Sequence, residues 1–432
     1  MERLGNGMEK AVFVTFFVAV FFALSTAPAR ASILGGELMA PSSLHSLIRK
    51  EKPITIEVGI EYLHPDIPSI RHVVVENEAT STVSSPQYGN VDSQYPDVFA
   101  QTLKAQAIVD LDRMWSVSLK TYLPLNAMAQ LDTGYIYQPE FVLYRAEAQR
   151  PRVLLSTGMN LNPDWRVGLA ADVGFSVSAQ ANVFLQSGSG KYSDQRLTAK
   201  LKPTLVPQAS VQYRDYTFTV RGENKATFDL GTAASAQVFG SVNAGISYAY
   251  TSESAMYFEP WEFEFAGKTR LSKVVRLKWG ASYQLWNGYQ ARAALIKSIS
   301  SDCSQSGSNN CSTSFSSSLA PAYRARNLIV PEAGFEFQWG DNLYEIAYRF
   351  KDSIFKDLPT ENGNYLDPPR HDVILGVTFP TRAGWEWSLH AQVSRLVSQT
   401  VVKSDSNEIG APGYTASGWL YGGGANVAIP FN

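Results

Sequence analysis

The chain has 432 residues, 45% of them apolar, and a formal net charge of −2. That length allows one large domain or two to three ordinary ones, and that apolar content excludes a disordered chain. No basic patch is present to neutralise phosphates, which excludes a nucleic-acid partner.

The N-terminus reads as an export signal. Arg3 and Lys10 flank the start of the apolar run from Ala11 to Leu24, and Ala29-Arg30-Ala31 offers a small-x-small cleavage site before Ser32. The run is short for a membrane span, and Met8 is an alternative start. We expect residues 1–31 to be removed. Residues 32–53 then form a periplasmic or lumen-plugging segment, and residues 54–432 the folded body. No cysteine follows the cleavage site, which argues against a lipid anchor. A mature exported chain with no further long apolar run is soluble, surface-attached or an outer-membrane barrel.

The first expected strand is Ile54 to Tyr62. Beyond it, six short polar turns stand between alternating segments, at 111–113, 162–164, 214–215, 271–274, 340–342 and 382–384. Longer polar stretches rich in Ser, Gly, Asn and Pro separate these hairpins, at 64–98, 179–195, 299–325, 355–369 and 396–417. Short turns at one end and long loops at the other are the asymmetry of outer-membrane barrels. Six hairpins, a first strand and a last one from Gly418 to Phe431 predict an all-β, antiparallel transmembrane barrel of fourteen strands. The segments Ile136 to Glu147 and Gln237 to Tyr250 also alternate and together would give sixteen; we read them as strand extensions or loop hairpins. Cys303 and Cys311 lie in one Ser/Asn-rich loop, and an oxidising compartment predicts a local disulfide between them.

The faces of the strands separate sharply. After Asn162-Pro163-Asp164, the residues Trp165, Val167, Leu169, Ala171, Val173 and Phe175 alternate with Arg166, Gly168, Ala170, Asp172 and Gly174. A basic residue facing lipid at mid-bilayer costs about 2–4 kcal/mol, and none of the fourteen strands is expected to carry a charge on its apolar parity. The opposite parity holds the expected lumen-facing charges, among them Glu57, Glu61, Arg166, Asp172, Arg221, Glu223, Glu332, Glu336 and Arg349. Acids and bases balance there, which favours mutual pairing over an ion-selective patch. Trp115, Trp165, Tyr213, Tyr216, Trp339 and Trp385 flank the short turns and predict an aromatic girdle. Pro203, Pro207, Pro260 and Pro331 lie inside expected strands, where proline marks a bulge or a weak edge.

Catalytic chemistry has little support. The five histidines show no zinc spacing, there is no G-x-S-x-G elbow, and "GSGK" at 188–191 is a polar loop rather than a phosphate loop. His390 beside Ser388 on the interior parity is the nearest thing to a hydrolase pair. We expect no enzyme, metal or cofactor.

The segments "PQASVQYRDYTFTVRGE", "RLKWGASYQLWNGY" and "PEAGFEFQWGDNLYEIAYRF" resemble the FadL-type outer-membrane transporters for long-chain fatty acids and aromatic hydrocarbons. The resemblance implies passive uptake of a small hydrophobic ligand by a monomeric barrel in the lipid bilayer, placed there by the outer-membrane assembly machinery. It also implies an N-terminal hatch with an Asn-Pro-Ala motif, which this chain lacks; the 64–98 loop is a candidate replacement. The chain ends Phe431-Asn432, whereas assembly signals usually end on the aromatic. No ligand residue of the family maps onto this sequence, so the ligand-binding residues are unknown, although the loop segments "FVLYRAEA" and "AMYFEPWEF" are candidates for an apolar pocket. The alternatives are a structural or adhesive barrel with partner-binding loops, and a general porin.

Overall fold

The computed structural model describes residues 54–76, 87–91, 100–112, 114–125, 140–141, 151–187, 193–238, 245–289, 295–302, 315–318, 324–357, 365–381, 384–406 and 409–431. The expected export signal, the 32–53 segment and the two cysteines of the expected disulfide lie outside these residues.

Fourteen strands close into one antiparallel ring. In chain order they are β1 (Ile54–Asp66), β2 (Ala100–Asp110), β3 (Trp115–Pro124), β4 (Arg152–Asn160) and β5 (Trp165–Ser187). Then come β6 (Ser193–Tyr213), β7 (Tyr216–Arg221), β8 (Trp261–Arg270), β9 (Val275–Leu285) and β10 (Leu328–Trp339). The last four are β11 (Asn342–Lys351), β12 (Arg370–Pro380), β13 (Glu386–Val402) and β14 (Gly413–Phe431). Each pairs with its predecessor, and β14 pairs with β1 from Ile54↔Phe431 to Asp66↔Trp419, so the ring has no open edge along that join. The six predicted hairpin turns all lie at one end.

Three of those turns are built alike. Asp112, Asn162 and Ser272 each accept hydrogen bonds on the side-chain oxygen from the amides two and three residues on, at 2.6–3.2 Å. A leucine before each one donates its amide to the carbonyl four residues on: Leu111 to Trp115, Leu161 to Trp165, Leu271 to Val275. A short polar side chain thus satisfies the turn amides locally.

Outside the ring, four further strands extend from the long-loop end. Asn224–Val238 pairs in parallel with the upper half of β5, from Phe228↔Val177 to Val238↔Ser187. Gly245–Glu259, Leu295–Asp302 and Phe315–Ser318 add to it in sequence. Of the predicted extra segment from Gln237 to Tyr250, the described residues 237–238 and 245–250 belong to the first two strands of this ribbon. Of the other, only Glu140–Phe141 is described, paired in parallel with Tyr365–Leu366. A hairpin of Ile70–Glu76 and Gln87–Val91 rises between β1 and β2.

The outer wall is apolar. Ile56, Val58 and Ile60 of β1, Leu169 of β5, Phe265 of β8, Phe335 of β10, Ile346 of β11 and Leu375 of β12 are all exposed, whereas their sequence neighbours point inward. Exposed apolar residues around a whole closed sheet need an apolar solvent. One predicted rule fails: β13 extends past Leu389 to Val402, and Arg395 falls on its outward, apolar parity.

Candidate functional site

Inside the ring many of the charges lie in clusters of mixed sign. At the top of β4, Arg152 pairs with Asp172 of β5 through two guanidinium nitrogens, Nε at 3.1 Å, and approaches Glu259 at 3.6 Å. Arg221 of β7 donates to the same two carboxylates at 3.2 and 2.9 Å. Two arginines and two acids therefore alternate around one buried point, where excess charge of either sign would be costly.

A second cluster centres on Glu336 of β10, which is 1% exposed. Lys268 lies 3.3 Å from it and Arg276 3.8 Å, while Lys278 bridges Glu336 and Glu345 at 2.5 and 2.6 Å. In a third, Arg349 and Arg370 each hold Asp372 at 2.9 Å. In a fourth, Glu61 pairs with Lys104, and His390 lies 3.7 Å away. His390 thus faces a carboxylate, whereas the Ser388 hydroxyl lies 3.1 Å from that of Thr378; no nucleophile–base pair forms between them.

Of the other expected lumen residues, Glu57, Arg166 and Glu332 are half-buried on inward-facing positions. Glu223 differs. The ring strand ends at Arg221, so Glu223 is exposed on the crossing to Asn224–Val238 rather than on an interior strand position.

The predicted girdle residues sit at the short-turn end, all exposed, from Tyr213 at 37% to Trp339 at 74%. Trp165 and Tyr213 touch across β5 and β6, ring centres 4.7 Å apart. Arg214 lies 5.2 Å from the Tyr213 ring and 3.2 Å from Asp164, tying two turns together.

Toward the long-loop end the interior changes from charged to apolar. Leu396, Tyr414, Ala416 and Leu420 of β13 and β14 pack with Ile70 and Val73 of the loop hairpin and with Leu366. The hairpin is held by a backbone pair: the Val74 amide donates to Ala411, and the Gly410 amide to Val74. A second cluster joins Phe258, Trp286, Tyr289, Leu328, Val330, Ile354 and Phe355. Asp367, next to Leu366, accepts the Ile354 amide at 2.8 Å and so links the two clusters. Phe258, in the candidate pocket segment "AMYFEPWEF", contributes to the second; "FVLYRAEA" lies almost entirely outside the described residues.

The ring wall is interrupted near the second of these clusters, where a Cβ on Gly288 would meet Glu223 and Phe258, each at 3.8 Å. β6 and β7 pair only from Tyr213↔Tyr216 to Gln208↔Arg221, and the last bond there runs from the Gly222 amide to the Pro207 carbonyl. Above Pro207, β6 has no ladder partner on that side among the described residues, because the chain departs to pair with β5. Pro207 closes this ladder and Pro203 stands beyond it, positions where proline's missing amide donor breaks no described ladder bond. Pro331 likewise sits where the β10–β11 ladder stops at Glu332↔Arg349.

No protein-family model and no curated protein matches the sequence. Solved structures do match in shape. A crystal structure of a Pseudomonas aeruginosa FadL homologue superposes with a TM-score of 0.52 at 11% identity, covering 90% of this chain and 92% of that one. The P. putida toluene transporter TodX gives 0.52 at 9% identity, again over 90% and 92%. The fourteen-stranded ring is thus a FadL-like barrel in fold.

Proposed function

We propose that this chain spans a bacterial outer membrane as a monomer, after export and removal of residues 1–31, and carries small hydrophobic molecules inward by passive diffusion. The short-turn end faces the periplasm, and insertion depends on the outer-membrane assembly machinery. The observation that carries this reading is the end of the β6–β7 ladder at Pro207, near the apolar cluster of Phe258, Trp286 and Tyr289. A solute too apolar for a water-filled pore needs an apolar stopping point and a way into lipid, and the charge clusters line the interior with surface that does not favour it. The solved structures of similar shape, one of them a toluene transporter, support hydrophobic cargo; fatty acids are the finer expectation.

The test is uptake into proteoliposomes made with the full chain. Labelled oleate and labelled toluene should each enter faster than into protein-free vesicles, and the absence of any acceleration at every protein density would end the proposal. Steady conductance to small ions in a planar bilayer would instead mark a general porin. The four-strand outgrowth favours a second reading, a barrel whose loops bind a partner, which predicts neither uptake nor conductance.

A further inference from the structure

The outward face of the barrel carries a cation at one rim. Arg395 of β13 stands between Ser394 and Leu396, which point inward and are 0% and 5% exposed, so its side chain lies on the outside, exposed. Its cross-strand neighbours are His371 of β12 and Trp419 of β14, and Phe350 of β11 continues the row. The guanidinium carbon is 5.8 Å from the centre of the Trp419 ring. The Tyr348 hydroxyl lies 2.7 Å from His371 Nδ1. With that hydroxyl donating, Nε2 carries the ring proton and is a second donor beside the guanidinium.

The contrast with Arg214 at the other end is informative. Both arginines rest on an aromatic ring, but Arg214 is ion-paired with Asp164 at 3.2 Å. Arg395 has no acidic partner among the described residues. One turn of the strand below it, the outward positions are Val373 and Val393, part of the apolar wall. A guanidinium on that boundary, with one face on an indole, keeps its N–H fork available to a phosphate.

We propose that Arg395, His371 and Trp419 form a binding site for the phosphate of an anionic lipid headgroup, whose acyl chains lie along the Val373–Val393 wall. This rests on the membrane-spanning reading above. A lipid is favoured over a free anion because the site's polar donors are continuous with an apolar face that only a lipid would cover.

The experiment is native mass spectrometry of the purified full chain with dioleoyl phosphatidic acid, dioleoyl phosphatidylcholine or inorganic phosphate, alongside reconstitution and uptake with the same preparation. The wild type should retain phosphatidic acid about fivefold better than phosphatidylcholine, the preference expected of roughly one basic residue at a charged membrane surface. Arg395→Gln should remove that preference and His371→Gln reduce it. Arg214→Gln, at the opposite end, should leave it unchanged. Should Arg395→Gln not fold, Trp419→Leu replaces it and should also weaken retention. Equal retention of phosphatidic acid by wild type and variants, in protein that inserts and transports, would overturn the site alone. Competition by inorganic phosphate at the same concentration would overturn it too. Protein that enters no bilayer would overturn the site together with the transport reading.

Discussion

His390 on β13 reaches Glu61 on β1 across an intervening strand, its Nε2 3.7 Å from Glu61 Oε1. The residue between them in the register is Gly424 of β14. A Cβ there would stand 2.5 Å from His390 Cε1 and 2.7 Å from the Ile60 carbonyl oxygen. Two side chains meet over β14 because β14 has none at that point. Gly424→Ala should therefore destabilise the barrel by about 1–3 kcal/mol, as overpacking does. The readout is the temperature at which the folded band is lost on a heat-dependent gel shift; an unchanged temperature would contradict the close approach.

The alternating cluster of Arg152, Asp172, Arg221 and Glu259 predicts a strong asymmetry. Asp172→Asn leaves two arginines with one carboxylate, and removing one member of a buried ionic group costs roughly 3–5 kcal/mol. Adding Arg221→Gln restores the charge balance, so the double variant should be more stable than the Asp172→Asn single. Additive losses in that cycle would show that the two residues do not interact.

The hairpin over the mouth should behave as a cap. Val73 is fully buried in the first apolar cluster, and Val73→Asp would put an unpaired carboxylate there. We expect the hairpin to detach while the ring persists, seen as faster proteolysis between β1 and β2 and faster solute uptake. Unaltered cleavage would mean the hairpin does not depend on this contact.

Asp367 gives the mouth a pH dependence. Burial pushes its carboxyl above the ordinary aspartate value, against the opposing pull of Lys351 and of the Ile354 amide. Arg370 also lowers it and Asp352 raises it. A folded-state pKa raised in this way contributes stability that is complete below the unfolded value and is lost as pH rises through the folded one. The mouth around Asp367 should thus be most stable in acid and should protect its amides from hydrogen exchange less as pH rises, after correction for the intrinsic rate. In Asp367→Asn that pH dependence should vanish, and its persistence would assign the effect to another group.

Much of the ring was legible because a lipid-facing strand obeys a local rule: alternation of period two, bounded by turns whose first polar side chain satisfies its own amides. Asn162 shows it, and Asp112 and Ser272 repeat it. The long-loop end was harder to read because its strands leave the bilayer, and no solvent boundary then forces one parity to be apolar. Glu223 was placed on an interior strand by extending the alternation of β7 past Arg221, where the chain in fact turns away. Arg395 is the last residue before the expected 396–417 loop, beyond the Trp385, Trp387 and Leu389 on which the apolar parity of that strand rests. The ionic partners were not legible at all. Arg152 and Arg221 meet two shared acids only through the register of β4, β5 and β7, and such registers are set by the closed ring rather than by any local stretch.

The parallel strand on β5 also settles a problem of solubility. β4 begins at Arg152, so β5 rises above its neighbour with a row of backbone donors and acceptors facing open water. Such an edge is a template for a second molecule. Asn224–Val238 occupies it from Val177 to Ser187, which makes the outgrowth a guard against self-association whatever else its loops contact. A chain cut back by removing 224–259 would lose that guard, and neighbouring barrels in a crowded membrane would then be free to join rim to rim.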